Sequence, residues 1–325
     1  LVYWDYYNTE PKKVSNILDK HLSSGRPVIF AGGAWRWKGY TPMIGFSLLS
    51  SRVILEQCNK KGINNMFVTV WGDDGAECSV FTILPVIQLF AENSYAKNIS
   101  DNHLDERFKI CAGAALEDFL LLDLPNQLEG NEKPGRCGVN PSKYLFYQDI
   151  LLGLFDKHVI EDEYSRQYAQ FSGLLKEAAD RNPGYRNLFM IQAHLCDVLE
   201  LKCDMGLKLK KAYENKDHAA LKSLTETLDE LLDRVSVFYE NIRSQWMEDN
   251  KPFGFEVLSI RFGGLKQRII EAKRRVEDYL EGRVEKIEEL EADRLFFDGR
   301  KDAGKNLHLD IHQWEYIVSP NNVIF

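Results

Sequence analysis

Short apolar runs alternate with stretches of helical periodicity over about the first hundred residues of the chain. The short runs are rich in aromatic and β-branched residues, which is typical of strands, and the longer stretches carry apolar residues at three- and four-residue steps. We predict strands at 1–7, 27–31 and 66–71 and helices at 11–23, 47–61 and 80–92. Strands separated by helices predict parallel β/α units, as in half of an eight-stranded barrel or in part of an open sheet.

Beyond this region the pattern changes to helix. The segment 99–141, which is rich in Asn, Gly and Pro from 124 to 141, is predicted to connect two parts. Residues 142–325 are predicted to form an α-helical domain. The apolar stripe of one long helix is formed by Leu221, Leu224, Leu228, Leu231, Val235, Phe238 and Ile242. We expect a bundle of about five helices with antiparallel neighbours. Near the end, 314–318 is predicted to be a strand.

Composition narrows the class of protein. The chain has 325 residues and a net charge of −8, which gives no support for binding to nucleic acid or to acidic membranes. Six cysteines without CxxC spacing indicate buried free thiols and a cytoplasmic location. No apolar run reaches the ~18 residues of a membrane span. Because the chain opens directly on a strand-like segment at Leu1, we expect it to be the C-terminal piece of a longer protein.

Aromatic and acidic side chains follow each predicted strand. In a β/α barrel the C-terminal strand ends form the active site. An aromatic ring packs on the apolar face of a sugar, and a carboxylate accepts hydrogen bonds from its hydroxyls. These residues are Tyr3, Trp4, Asp5, Trp35, Trp37, Trp71, Asp73 and Asp74. The pattern predicts a sugar pocket, and the alternative interpretation is that the aromatic residues belong to the core.

Individual polar residues point to different roles. We expect Asp73 to contact a ligand and Asp74 to cap the following helix. His308 and His312 have the spacing of a metal-binding pair but lack a Cys or Glu partner, so a metal site is not expected there. No phosphate-binding glycine loop and no nucleophile elbow occurs in the sequence.

Several strings resemble the last strands of a glycoside hydrolase family 20 barrel. They are Tyr3-Trp4-Asp5, the segment 32–37 (GGAWRW) and the segment 69–77 (TVWGDDGAE). The segments 246–256 and 261–265 resemble the helical C-terminal domain of bacterial β-N-acetylglucosaminidases in that family. The resemblance implies the C-terminal part of a (β/α)8 TIM barrel, at 1–98, followed by a helical bundle.

The family resemblance also implies a reaction. Such enzymes remove terminal non-reducing β-linked N-acetylglucosamine with retention of configuration, and the 2-acetamido oxygen of the substrate attacks the anomeric carbon to form an oxazolinium. A family Asp-Glu pair assists, with Asp orienting the acetamido group and Glu acting as general acid and base. No metal or organic cofactor is expected.

Carried over by position, the resemblance assigns roles to single residues. Tyr3 would donate a hydrogen bond to the acetamido oxygen, and Asp5 would hold hydroxyls of the terminal sugar. Trp71 would form a wall of the pocket. Asp73 would bind hydroxyls at the non-reducing end, although the family more often has Glu there. Another wall would come from Trp35 or Trp37, which the spacing does not distinguish.

The Asp-Glu pair should precede Tyr3 and is not in this chain, and Glu10, Asp19 and Asp123 are poor substitutes. We therefore expect the chain alone to be inactive and to require the N-terminal part of the same protein. Other expected partners are β-linked N-acetylglucosamine glycans and a second copy in a homodimer, with no nucleic acid and no membrane. The alternatives are a non-catalytic helical scaffold and another β/α-barrel glycosidase that uses two carboxylates.

Overall fold

The computed structural model describes residues 1–96, 99–299 and 309–321. The chain divides into two compact units. The first contains 1–127 and 131–137, and the second contains 128–130 and the chain from 138 onward.

The first unit is built from β/α units around a three-stranded sheet. Its elements are β1 (Val2–Trp4), α1 (Pro11–Leu22), β2 (Ile29–Gly33), α2 (Ile44–Lys60), β3 (Met66–Thr69), α3 (Leu84–Asn93), α4 (Asp101–Ala112) and α5 (Leu116–Leu120). All strands are parallel in the order β1-β2-β3. The predicted strands and intervening helices are therefore confirmed, with β1 and β3 shorter than expected and β2 shifted by two residues toward the C-terminus. The described residues contain this sheet and not a closed barrel.

The sheet has one covered face and one open face. Tyr3 and Phe30 point toward the helices, because the Tyr3 ring lies 5.3 Å from the His21 ring of α1 and Phe30 stacks on Phe90 of α3. Trp4 and Phe67 lie on the other face, where their rings meet edge to face at 5.9 Å. Both are exposed, with 48% of Trp4 accessible to solvent. In a β/α barrel the face opposite the helices is the barrel interior.

The segment predicted as a connection folds largely as helix. It contains α4, α5 and a 310 helix at Leu121–Asn126, all within the first unit. The buried Asp123 carboxylate accepts hydrogen bonds from the backbone nitrogens of Ile44 (2.8 Å) and Gly45 (2.7 Å). This carboxylate satisfies the free N–H groups at the start of α2, where the adjoining residue Met43 offers no side-chain cap. For that reason α2 begins before the predicted Ser47.

The second unit is helical. Its elements are α6 (Pro141–Tyr147), α7 (Glu163–Arg181), α8 (Arg186–Lys202), α9 (Met205–Glu214), α10 (His218–Asp249), α11 (Phe255–Leu280), α12 (Glu288–Glu291) and α13 (Glu315–Val318). Five of them, α7 to α11, are long enough to form the predicted bundle. The predicted stripe of α10 is confirmed at six of its seven positions, since Leu221, Leu228, Leu231, Val235, Phe238 and Ile242 are buried and Leu224 is half-buried. No helix in the described ranges is both long enough and apolar enough to cross a membrane.

The predicted strand at 314–318 is wrong, because this segment forms α13. A lone strand needs a neighbouring strand for its backbone groups, whereas a helical turn satisfies them locally. The backbone nitrogen of Ile317 donates to the carbonyl of Trp314 at 3.0 Å, and the Ile317 side chain is buried. The cysteines are free thiols, as predicted, and most are buried.

Candidate functional site

Tyr3 and Asp5 lie together on the covered face of the sheet. The Tyr3 hydroxyl donates to the Asp5 carboxylate, and both side chains are buried. Asp5 also accepts hydrogen bonds from the backbone nitrogens of Tyr7 (2.9 Å) and Asn8 (3.1 Å), so it shapes the turn after β1. Burial, followed by the hydrogen bond to Asp5, raises the pKa of Tyr3 above its ordinary value. The phenol therefore stays protonated at neutral pH.

Trp35 and Trp37 form an aromatic cluster after β2. Their rings stack at 4.4 Å with an interplanar angle of 24°. Trp35 Nε1 donates to the backbone carbonyl of Tyr6 at 2.9 Å, and the Tyr6 ring meets Trp37 edge to face at 5.3 Å. The cluster therefore joins the turns that follow β1 and β2. Both tryptophans are buried.

Trp71 and Asp73 lie on the exposed segment after β3. Trp71 is 37% exposed, and its ring centroid lies 5.8 Å from that of Trp4. Asp73 is exposed and begins a 310 turn at Asp73–Gly75. The prediction that Asp74 caps the next helix is wrong. Asp74 occupies a left-handed conformation (φ 51°), and the next helical segment is capped by Ser79, whose hydroxyl accepts from the Phe81 nitrogen.

The strand alternation separates two groups of predicted site residues. Tyr3 and Trp4 are neighbours in one extended strand, so their side chains point to opposite faces of the sheet. Tyr3 and Asp5 face the helices, whereas Trp71 accompanies Trp4 on the open face. The structure thus pairs Tyr3 with Asp5 and Trp4 with Trp71. The sequence analysis gave Trp4 no role. The alternation of side chains along β1 would have predicted that Trp4 lies on the face opposite Tyr3.

Arg36 connects the segments that follow β2 and β3. Its guanidinium donates to the backbone carbonyl of Cys78. A Cβ at Gly72 would lie 3.3 Å from an Arg36 amino nitrogen and 3.1 Å from the Ala76 Cβ, so glycine allows the loop to pass close to this side chain. Arg36 therefore holds the loop that carries Trp71 and Asp73. The sequence predicted no role for Arg36 beyond its place in the segment 32–37.

The family comparison decides what kind of domain this is. The sequence matches the family described as Glycoside Hydrolase 20C C-terminal domain over residues 117–308, more than half of the chain. The chain belongs to this family. The predicted relationship to the C-terminal portion of glycoside hydrolase family 20 is therefore confirmed. No curated protein sequence matches the chain.

The match to the glycoside hydrolase 20C C-terminal domain begins inside the first unit. Residue 117 lies in α5, so the matched range includes the Asp123 carboxylate that caps α2 as well as helices α6 to α12. Asp123 is fully engaged by the start of α2 and is buried among the residues of that unit. This arrangement gives Asp123 a structural role at the start of α2.

One polar cluster of the helical unit is centred on Asp197. Asp197 accepts from Ser172 Oγ at 2.5 Å and from Lys176 Nζ at 2.9 Å, and it lies 3.3 Å from His194 Nδ1. Burial raises the pKa of Asp197, but these three hydrogen bonds outweigh burial and keep its pKa far below the ordinary value. Within the described residues no three His, Cys, Asp or Glu side chains are grouped to hold a metal ion. His308 lies outside the described residues.

Proposed function

We propose that this chain is the C-terminal part of an exo-β-N-acetylglucosaminidase that removes terminal, non-reducing β-linked N-acetylglucosamine. Membership of the family 20 C-terminal domain supports a glycoside hydrolase. The rim of aromatic and acidic residues after parallel strands supports a sugar substrate.

The observation that carries the proposal is the open face of the sheet. Parallel sheets are normally covered on both faces, but here Trp4, Phe67 and Trp71 are exposed on one face. An exposed apolar patch of this kind is typical of an interaction surface. We propose that the N-terminal part of the same protein supplies the remaining barrel strands against this face, together with the Asp-Glu pair.

The proposed mechanism uses the substrate as its own nucleophile. The 2-acetamido oxygen attacks the anomeric carbon, the glycosidic C–O bond breaks, and the general acid protonates the leaving oxygen. Water then opens the oxazolinium, with the same group acting as base. Trp71 would form a wall beside the ring, and Asp73 would accept from hydroxyls at the non-reducing end. Tyr3 and Asp5 are buried on the covered face, whereas Trp71 accompanies Trp4 on the open face. The proposed contacts of Tyr3 and Asp5 with the same sugar therefore require both side chains to leave their mutual hydrogen bond and become exposed.

The chain alone is expected to show no turnover of 4-nitrophenyl N-acetyl-β-D-glucosaminide, because the proposed general acid lies outside it. The carboxylates that follow the described strands are Asp5, Glu10, Asp73, Asp74 and Glu77, and no two of them form an adjacent Asp-Glu pair. A release assay with the purified chain measures this. Steady turnover that disappears in an Asp73→Asn variant would place the acid in this chain and support a two-carboxylate glycosidase instead.

In the protein that includes the N-terminal part, Trp71→Ala is expected to lower kcat/KM about 30-fold. The aromatic wall contributes about 2 kcal/mol through buried contact with the sugar. Loss of this free energy in the transition state corresponds to about 30-fold in kcat/KM. Steady-state kinetics measure the effect, and Tyr95→Ala is the control because Tyr95 is an exposed aromatic residue of the same unit. An N-acetylglucosamine thiazoline should raise the Tm of the parent and raise it less in Trp71→Ala. Unfolding of Trp71→Ala, or unchanged kinetics, would argue against this role.

A further inference from the structure

The helical unit contains a cleft of about 430 Å³ that lies between the end of α6, one side of α11 and α13. Its size is within the range of small-molecule sites. The walls combine apolar side chains such as Leu265 and Ile269 with the aromatic residues Tyr147 and Trp314. Three charged side chains, Arg261, Arg268 and Asp149, also line it.

Asp149 fixes Arg268 at the edge of this cleft. The Asp149 side chain is almost fully buried, and its Oδ1 accepts from the backbone nitrogens of Leu151 (2.9 Å) and Leu152 (3.0 Å). Its Oδ2 accepts from Arg268 Nε at 2.6 Å. The Arg268 side chain is 46% exposed and lines the cleft. A guanidinium held in this way suits an oxygen pair such as a carboxylate.

Arg261 supplies a second positive charge. Its guanidinium carbon lies 5.3 Å from the centre of the Trp314 ring, and Tyr147 meets the same ring edge to face at 6.5 Å. The cleft lining therefore contains two arginines and one aspartate. Aromatic and apolar walls beside a positive group favour a ligand with an apolar ring face and a negative group.

We propose that this cleft is a binding site for a carboxylate-bearing sugar of hexuronic-acid size. Arg268 binds the carboxylate, and the apolar and aromatic walls contact the C–H face of the ring. The site belongs to the helical unit alone and is distinct from the N-acetylglucosamine pocket proposed at the strand ends. It would allow the helical unit to recognise an acidic sugar independently of hydrolysis.

Two adjacent glycines of α11 provide a matched test. Gly264 lines the cleft, and a Cβ added there would meet nothing within 4 Å. Gly263 is equally free of neighbours but does not line the cleft. Leucine at either position improves helix propensity by a similar amount, so Gly264→Leu and Gly263→Leu differ mainly in whether the side chain fills the cleft.

The experiment is a calorimetric titration of the full chain with D-glucuronate and with D-glucose, which lacks the carboxylate. Glucuronate is expected to bind at least tenfold more tightly than glucose, as for one charge-assisted interaction of about 1.4 kcal/mol. Gly264→Leu should weaken glucuronate binding at least tenfold, and Gly263→Leu should leave it unchanged. Arg268→Lys should weaken it while keeping a positive charge beside Asp149.

Equal binding of the two sugars, undetectable glucuronate binding, or equal losses in the two glycine variants would overturn the proposal. Trp71→Ala should leave glucuronate binding unchanged, because Trp71 belongs to the first unit. The glucuronate titration therefore tests this proposal even if the hydrolase proposal fails. The hydrolase assays likewise remain valid if glucuronate does not bind.

Discussion

Replacement of Arg294 by methionine is expected to lower the free energy of unfolding of the helical unit by about 3–5 kcal/mol, the range for breaking a buried ion pair. Arg294 Nε donates to Asp156 Oδ2 at 2.9 Å, and the two side chains are only 5% and 1% exposed. Arg294 also donates to the backbone carbonyls of Leu151 (2.8 Å) and Glu289 (3.1 Å). Methionine retains much of the volume but leaves a buried carboxylate and two carbonyls without these donors.

Chemical denaturation of both proteins measures the difference. The control is Arg283→Met, because Arg283 pairs with Asp278 at the surface and is 51% exposed. Surface pairs of this kind contribute about 0–1 kcal/mol. The double variant Arg294→Met/Asp156→Leu should recover most of the lost stability, since it also removes the buried charge. A loss for Arg294→Met no greater than that for Arg283→Met would contradict the prediction.

The stability of the wild-type protein relative to Lys202→Met is expected to rise with pH between about 7 and 10. Lys202 is buried, and its Nζ donates to the backbone carbonyls of Leu145 (2.9 Å) and Gln148 (2.6 Å). Burial lowers the pKa of Lys202 to about 7, although Asp149 and Asp156 oppose the change. An unfolded lysine titrates near ~10.4. In this pH window the unfolded chain therefore binds more protons than the folded one.

More protons on the unfolded state make the free energy of unfolding increase with pH, by at most ~1.4 kcal/mol per pH unit for one group. Below pH ~7 the lysine is protonated in both states, so the difference between the proteins should be flat there. Urea titrations at pH 6 to 10 of the wild type, Lys202→Met and the exposed control Lys222→Met test the slope. If the difference in free energy of unfolding between the wild type and Lys202→Met stayed constant from about pH 7 to 10, the low pKa of Lys202 would be contradicted.

The periodicity of apolar residues was enough to predict the long elements. In α10 the stripe from Leu221 to Ile242 is buried as predicted, because a helix in a bundle must place one continuous face in the core. The strands were predicted for a similar reason, since Phe30 and its neighbours in β2 form a short apolar run that the sheet buries. The strings at 246–256 and 261–265 lie within the matched residues, so the resemblance to the family 20 C-terminal domain is confirmed.

Two details required contacts between residues distant in sequence, and a third depended on the backbone conformation of a turn. The start of α2 depends on Asp123, which lies far along the chain and caps the helix through its carboxylate. The end of the described chain is helical because Ile317 is buried within the second unit, where an isolated strand would lack a partner. The backbone of Asp74 is left-handed, so a residue type suited to a helix cap forms part of a tight turn instead.

The sequence by itself determined the order of the three strands and of the long helices, the helical character of the C-terminal part, and the family. These follow from local periodicity and from short motifs, which are properties of neighbouring residues. Only the tertiary structure decided that Tyr3 and Asp5 face the helices while Trp4 and Trp71 share the open face. The choice of face depends on which side of the sheet the helices cover, and that is settled by packing between elements that no single segment encodes.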